Sequence, residues 1–176
     1  SVVQGCTVCR DWTRPGPKNV ASYRLVMTFN EEVQFDLLFY HSLVDTPSKL
    51  RSVMYLVDAC VRCSTTSETD SKEEQELTTK VSVCWIAIFG AMQTLVLDEE
   101  SGMRGRCAAD WAEANNIGLK YKAPRQKAWI VERHNELLRQ GLHTTETQMI
   151  KEGVVLSFKV ILSLVTFAKN ALTVIN

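Results

Sequence analysis

One run of residues constrains the fold of this chain more than any other: Glu32 to Tyr40, within EEVQFDLLFY. Val33, Phe35, Leu37 and Phe39 alternate onto one face, and Leu38 and Tyr40 onto the other. A strand that is apolar on both sides belongs in the middle of a sheet covered on both faces. Asp36 interrupts this run. An ionised carboxylate is costly to desolvate there, so a cation, a partner side chain or solvent in a cleft has to compensate it. The other reading is an Asp hydrogen-bonded at a surface edge.

The remaining pattern arranges itself around that strand. Ser52 to Arg62 reads as a second strand and Cys63 to Thr69 as a short Ser/Thr-rich edge strand, which together predict an antiparallel meander. Asp70 and Ser71 are N-cap residues ahead of a helical period that reaches Phe89 and closes at Gly90. Met92 to Leu97 is a short strand ending at Asp98. Arg104 to Asn116 reads as a helix stopped near Gly118, and Leu119 to Lys122 as another strand. After a turn opened by Pro124, a long helix is expected over Lys127 to His143, with a helical tail from Glu152. The order predicts an α/β protein, a mixed sheet with helices packed on it.

Composition narrows the setting. The 176 residues suit one domain, and their zero net charge neither supports nor excludes nucleic acid, which needs only a local basic surface. Six scattered cysteines do not form a disulfide framework and predict a reducing, intracellular compartment. The chain begins at Ser1 with no signal-like stretch, as expected of a fragment of a longer polypeptide. Pro15-Gly16-Pro17 reads as a linker, so residues 1–27 are expected to precede a domain spanning 28–176. Val154 to Val174 is apolar but interrupted by Lys159 and Lys169, which predicts a buried or interface helix and no membrane span.

Two further carboxylates join Asp36. Asp98 ends an apolar strand, at the rim where open sheets bind ligands. Glu132 lies in the long helix, where Ile130, Val131, Leu137, Leu138 and Leu142 form an apolar arc. Glu132, Asn135 and Arg139 share its flank; the alternative is an ordinary solvated face. Carboxylates from two strands and a helix are what a phosphoryl-transfer site with two Mg²⁺ or Mn²⁺ ions requires, since these hard cations prefer oxygen ligands.

These residues resemble the catalytic core of integrases from retroviruses and gypsy-type LTR retrotransposons. The resemblance rests on Phe35-Asp36, on Val57-Asp58-Ala59-Cys60-Val61-Arg62, on Phe89-Gly90 ahead of Asp98, and on Ile130-Val131-Glu132-Arg133-His134-Asn135. Cys6-x-x-Cys9 is similar to the cysteine half of the zinc-binding domain that precedes such cores. The resemblance implies an RNase H-like mixed five-stranded sheet with helices on both faces, and metal-dependent trimming of DNA ends and their transfer into target DNA. It implies Asp36, Asp98 and Glu132 as metal ligands, and Asn135 and Arg139 as residues positioning the DNA end. Lys120, Lys122, Arg125 and Lys127 are candidates for phosphate contacts, with a solvated loop as the equal alternative. A homodimer or larger homo-oligomer and a nuclear site of action are implied too.

The chain departs from the family in two places. Thirty-three residues separate Asp98 from Glu132, slightly fewer than is usual. Glu99-Glu100-Ser101-Gly102 follows Asp98 in place of the usual Gly-containing pair, which makes Glu99 a rival ligand and leaves open a decayed copy that only binds DNA or protein. Cys6 and Cys9 supply two of zinc's four ligands, so no ordered zinc is expected. Cys60-x-x-Cys63 is read as coincidental, because an extended strand would separate its thiols.

Overall fold

The computed structural model describes residues 25–45, 49–98, 102–122 and 129–172. Among them, β1 (Glu32–His41), β2 (Leu50–Asp58), β3 (Ser64–Thr69), β4 (Thr94–Leu97) and β5 (Gly118–Tyr121) form one sheet in the order β3-β2-β1-β4-β5. The first three strands pair antiparallel as the expected meander, while β1, β4 and β5 run parallel. The helices are α1 (Glu74–Val81), continued by a π-helical stretch (Ser82–Ile86) and a closing turn (Ala87–Phe89), then α2 (Arg106–Ala114), α3 (Trp129–Glu152) and α4 (Phe158–Leu172).

The double-sided apolar pattern of β1 has the predicted consequence. Val33 and Phe35 join Met54, Leu56, Leu95 and Leu97 beneath Leu77, Val81 and Trp85 of the first helix and Ala108 and Ala112 of α2. Leu38 and Tyr40 join Val53, Tyr55 and Val57 beneath Ile130, Val131, Leu138 and Leu142 of α3 and Phe158, Ile161 and Leu162 of α4. The fold is therefore the mixed five-stranded sheet with helices on both faces. Leu137, expected within the α3 arc, is instead partly exposed, and His134 takes a buried place.

The first helix differs from expectation in its start and its middle. Its N-cap is Glu73, three residues later than Asp70, because Glu76 turns back to accept hydrogen bonds from the Asp70 and Ser71 amides at 2.9 and 3.0 Å. Leu77, Val81 and Trp85 recur every four residues, and a 3.6-residue turn drifts by about 40° over each such step. The wider π turn offsets that drift and keeps Trp85 in the core.

Trp85 is fixed there by Asn30, which accepts its indole N–H at 2.8 Å. The Asn30 side chain also donates to the carbonyls of Phe89, Gly90 and Ala91, and its backbone sits at φ 66°, a conformation Asn tolerates better than most residues. Gly90 adopts φ 82° and closes the helix as predicted. Asn30→Ala strips these partners and retains the backbone strain, so it is expected to cost about 2–4 kcal/mol, read from urea unfolding. A loss within about 0.5 kcal/mol would show that the Asn30 contacts carry no stability.

Two connections also correct the sequence reading. Cys60 and Cys63 do not lie on an extended strand. They belong to the β2–β3 turn, which closes with Asp58 N–H to Cys63 O at 2.9 Å and Arg62 at φ 63°. Asp58, fully buried, organises this turn by accepting from the Asn30, Cys60 and Val61 amides. The long helix, expected to end at His143, runs to Glu152 and stops at Gly153, φ 67°. Thr144, Thr145 and Thr147 are weak helix formers, but tertiary packing overrides propensity. Gly141 lies where a Cβ would meet Val165 Cγ1 at 2.7 Å, so its lack of a side chain lets α4 approach.

Buried His134 has no hydrogen-bond partner on Nδ1 among the described residues. Burial, with Lys169, Arg62 and Arg133 nearby, pushes its imidazole down to about 3. Below the ordinary value near 6.5 the unfolded chain takes up a proton that the folded chain refuses, so this contribution to stability is lost as pH falls from about 6.5 toward 3. His134→Gln should accordingly flatten the decline in melting temperature between pH 7 and pH 5; an unchanged slope would place the proton uptake elsewhere.

Candidate active site

The parallel strands bring the site together. Gln34 of β1 is level with Val96 of β4, and Val96 with Lys120 of β5. Continuing that register by two residues, past the last paired residues of β1 and β4, aligns Asp36, Asp98 and Lys122 as one row at the strand ends. Alternation puts Asp36 on the same face as Gln34, the face covered by α3. There Gln34 Oε1 accepts the Val131 N–H at 3.3 Å, satisfying one of the amides that the start of a helix leaves open. Gln34 Nε2 donates to Glu32 at 3.1 Å. This contact helps hold the first turn of α3, and Glu132 within it, over the Asp36–Asp98 row.

Asp36 is half-buried, whereas Asp98 and Glu132 are exposed. The Asp36 carboxylate accepts the Leu37 N–H at 2.8 Å and the Asn135 side-chain amide. Burial pushes its protonation upward, the two hydrogen bonds pull it down, and the charges of Asp98 and Glu132 raise it again. The three predicted ligands thus share one electrostatic neighbourhood. As they stand, no group of three or more His, Cys, Asp or Glu side chains among the described residues converges on a metal position. The bonds to Leu37 and Asn135 occupy the Asp36 carboxylate.

The proposed DNA-positioning residues divide. Asn135 touches Asp36, with its own Oδ1 buried and without a partner among the described residues. Arg139 reaches the β1 backbone, donating to Phe39 O at 2.8 Å, so it also fastens α3 to the sheet. Lys120 is exposed and pairs with Glu32 at 3.8 Å. Lys122 is not in a solvated loop but buried, its ammonium without a hydrogen-bond partner among the described residues. Burial lowers its protonation, and Glu32, Asp98, Glu132 and Asp36 raise it. Arg125, Lys127, Glu99, Glu100, Cys6 and Cys9 lie outside the described residues.

Sequence reasoning missed Gln34 as the support of α3 and Lys122 as a member of the carboxylate row. Gln34 was findable, being a polar residue on the same strand face as Asp36. The position of Lys122 depends on the order of β4 and β5 in the sheet, which periodicity does not encode.

No protein-family model matches the chain, and no curated protein matches it. Solved structures do. A chain of the simian T-cell lymphotropic virus intasome in complex with PP2A regulatory subunit B56 gamma superposes with a TM-score of 0.75 at 17% identity, over 97% of this chain and 59% of that one. The chain thus spans about three-fifths of its length. The HTLV-2 integrase catalytic core domain in complex with magnesium, in its dimeric form, gives a TM-score of 0.69 at 14% identity, over 85% of this chain and 91% of that one. Its trimeric form gives 0.68 at 15%, over 84% and 89%. At such identities the likeness establishes architecture: the RNase H-like fold of retroviral integrase catalytic cores.

Proposed function

From that fold and its carboxylate row, we propose that this chain is an integrase-type core that carries out metal-dependent phosphoryl transfer on DNA, trimming element ends and joining them to target DNA. The supporting observation is the meeting of Asp36, Asp98 and Glu132, from two parallel strands and a helix, in one electrostatic neighbourhood. The donor chemistry fits a hard divalent cation. Burial and the charges of Asp98 and Glu132 raise the protonation of Asp36, which a divalent cation would reverse, and thiol or imidazole ligands are not needed. Two Mg²⁺ or Mn²⁺ ions held by Asp36, Asp98 and Glu132 would supply Lewis acidity to the attacking and leaving oxygens.

The chain's own residues provide the positioning. Gln34 and Arg139 fix α3 against β1, which sets where Glu132 points. Asn135 orients Asp36 through its amide. Lys120, Arg125 and Lys127, which precede α3 in sequence, are the proposed phosphate contacts, while Lys122 is buried instead, and Arg139 and Asn135 are the proposed contacts to the DNA end. Residues 1–27, with Cys6 and Cys9, are proposed as part of a zinc-binding region and the linker to the core, with no zinc expected in this fragment. A homo-oligomer is proposed as well. The HTLV-2 cores are dimeric and trimeric, and Val160, Leu164 and Phe167 leave a partly exposed apolar strip along α4. No helix of the described residues is long and apolar enough to cross a membrane. Integration into a host genome implies a nuclear site of action.

A second reading, a core that keeps the fold and binds DNA or protein without chemistry, draws support from the unconverged carboxylates. A branched DNA that mimics a strand-transfer product, incubated with the chain and Mn²⁺, separates the two. Resolution of the branch into its component strands is the expected result. Binding without any change in the DNA would favour the second reading.

A further inference from the structure

Lys122 stands one strand over from Asp98 in the row that begins at Asp36. Its amide donates to Leu97 O at 3.0 Å, extending the β4–β5 ladder past Tyr121 and fixing its backbone beside Asp98. Lysines ordinarily carry their ammonium out to water along an apolar stem. Lys120, two residues earlier, does so and is 61% exposed at its side chain. Lys122 is only 8% exposed, and its ammonium has no hydrogen-bond partner among the described residues. Burial opposes its charge, and among the described residues the acidic Glu32, Asp98, Glu132 and Asp36 favour it. An ammonium is tolerated in such a place only when opposite charge compensates it.

Resting on the reading of this row as a metal-dependent DNA site, we infer that Lys122 is a tethered counter-cation of the carboxylate cluster, neutralising it in the metal-free state and competing with the divalent ion for it. The backbone of Lys122 is locked in the ladder, but its flexible four-carbon stem lets the ammonium withdraw as an ion enters. Lys122 therefore sets how much divalent cation the site demands before it loads. It acts through the carboxylates and is a positioning residue.

The test is a Mn²⁺ titration of the whole chain, with free ion followed by electron paramagnetic resonance, so that binding is read without any turnover. Wild type, Lys122→Met, Lys122→Gln and Asp36→Asn are compared, each checked for folding by circular dichroism. Removing a positive charge that shares the carboxylates with the ion is expected to tighten binding about tenfold in both lysine variants, about 1.4 kcal/mol. Asp36→Asn should lose binding. If only the lysine variants bind, the inference holds in its strongest form. Equal or weaker binding in folded lysine variants, with wild type still binding, overturns the inference and leaves the functional reading in place. Absence of Mn²⁺ binding from every protein overturns the metal-site reading and the inference with it. Lys122→Gln retains the test if the more apolar Met variant fails to fold.

Discussion

Asp36→Asn is expected to lose at least about a thousandfold of Mn²⁺-dependent branch resolution, some 4 kcal/mol of transition-state stabilisation, while melting at a higher temperature than wild type in metal-free buffer. Both effects come from one charge. Asp36 is half-buried, beside two further carboxylates, and its protonation is raised by burial and by Asp98 and Glu132. A group whose folded-state pKa is raised contributes stability at low pH that is lost as pH rises through that value, so at neutral pH the ionised form opposes folding. Asparagine removes this opposition at nearly constant volume. It also has a partner waiting: Asn135 Oδ1 is buried and without a partner among the described residues, and turning the Asn135 amide over lets that oxygen accept from the new side chain. The Leu37 N–H keeps its acceptor. Melting curves by differential scanning fluorimetry and gel assays of the branched substrate measure the two effects separately. Lost activity with a lowered melting temperature would mean that Asp36 is a structural carboxylate, and the argument for the site would fall.

The second large effect is expected far from the chemistry. Glu146 on α3 has no exposed surface, yet it accepts hydrogen bonds from Tyr40 Oη at 2.8 Å, Ser42 Oγ at 2.6 Å and the Leu43 amide at 2.9 Å. Three donors surround one buried carboxylate and tie the later turns of α3 to the end of β1. Burial, and then this carboxylate, hold the Tyr40 phenol well above its ordinary range. Glu146→Ala leaves all three donors in an apolar setting together with a cavity, and is expected to cost about 3–5 kcal/mol in chemical denaturation. Glu146→Gln, which retains one acceptor oxygen, should lose about 1–3 kcal/mol. A loss below about 1 kcal/mol for alanine would mean that water or a neighbour replaces the carboxylate freely.

Glu146 also marks the limit of periodicity. The expected end of α3 at His143 lies just before a run of threonines, which have low helix propensity. The helix continues because Glu146 finds donors on a segment 103 to 106 residues earlier in the chain, and because Met149 is buried against α4. Cys60 and Cys63 show the same limit from the other side. Cys60 reads as part of an apolar strand and Cys63 as the start of a Ser/Thr-rich one, but the buried Asp58 carboxylate gathers amides from three residues and turns the chain there.

What the sequence determined by itself is the centre of the molecule. β1 is apolar on alternate residues in both directions, and burying both faces requires a sheet with helices above and below. A carboxylate inside such a strand needs compensation, which identified Asp36; its relation to Asp98 and Glu132 rested on family resemblance and strand position. Tertiary structure decided the rest. The parallel order β1-β4-β5 sets Asp36, Asp98 and Lys122 in one row, and the contact of Gln34 with Val131 sets α3 over it. These relations join residues from 24 to 97 positions apart, where local propensity carries no information. The lysine that reads as a surface contact in the sequence becomes a buried charge among carboxylates because strand order, rather than its neighbours in the chain, chooses what surrounds it.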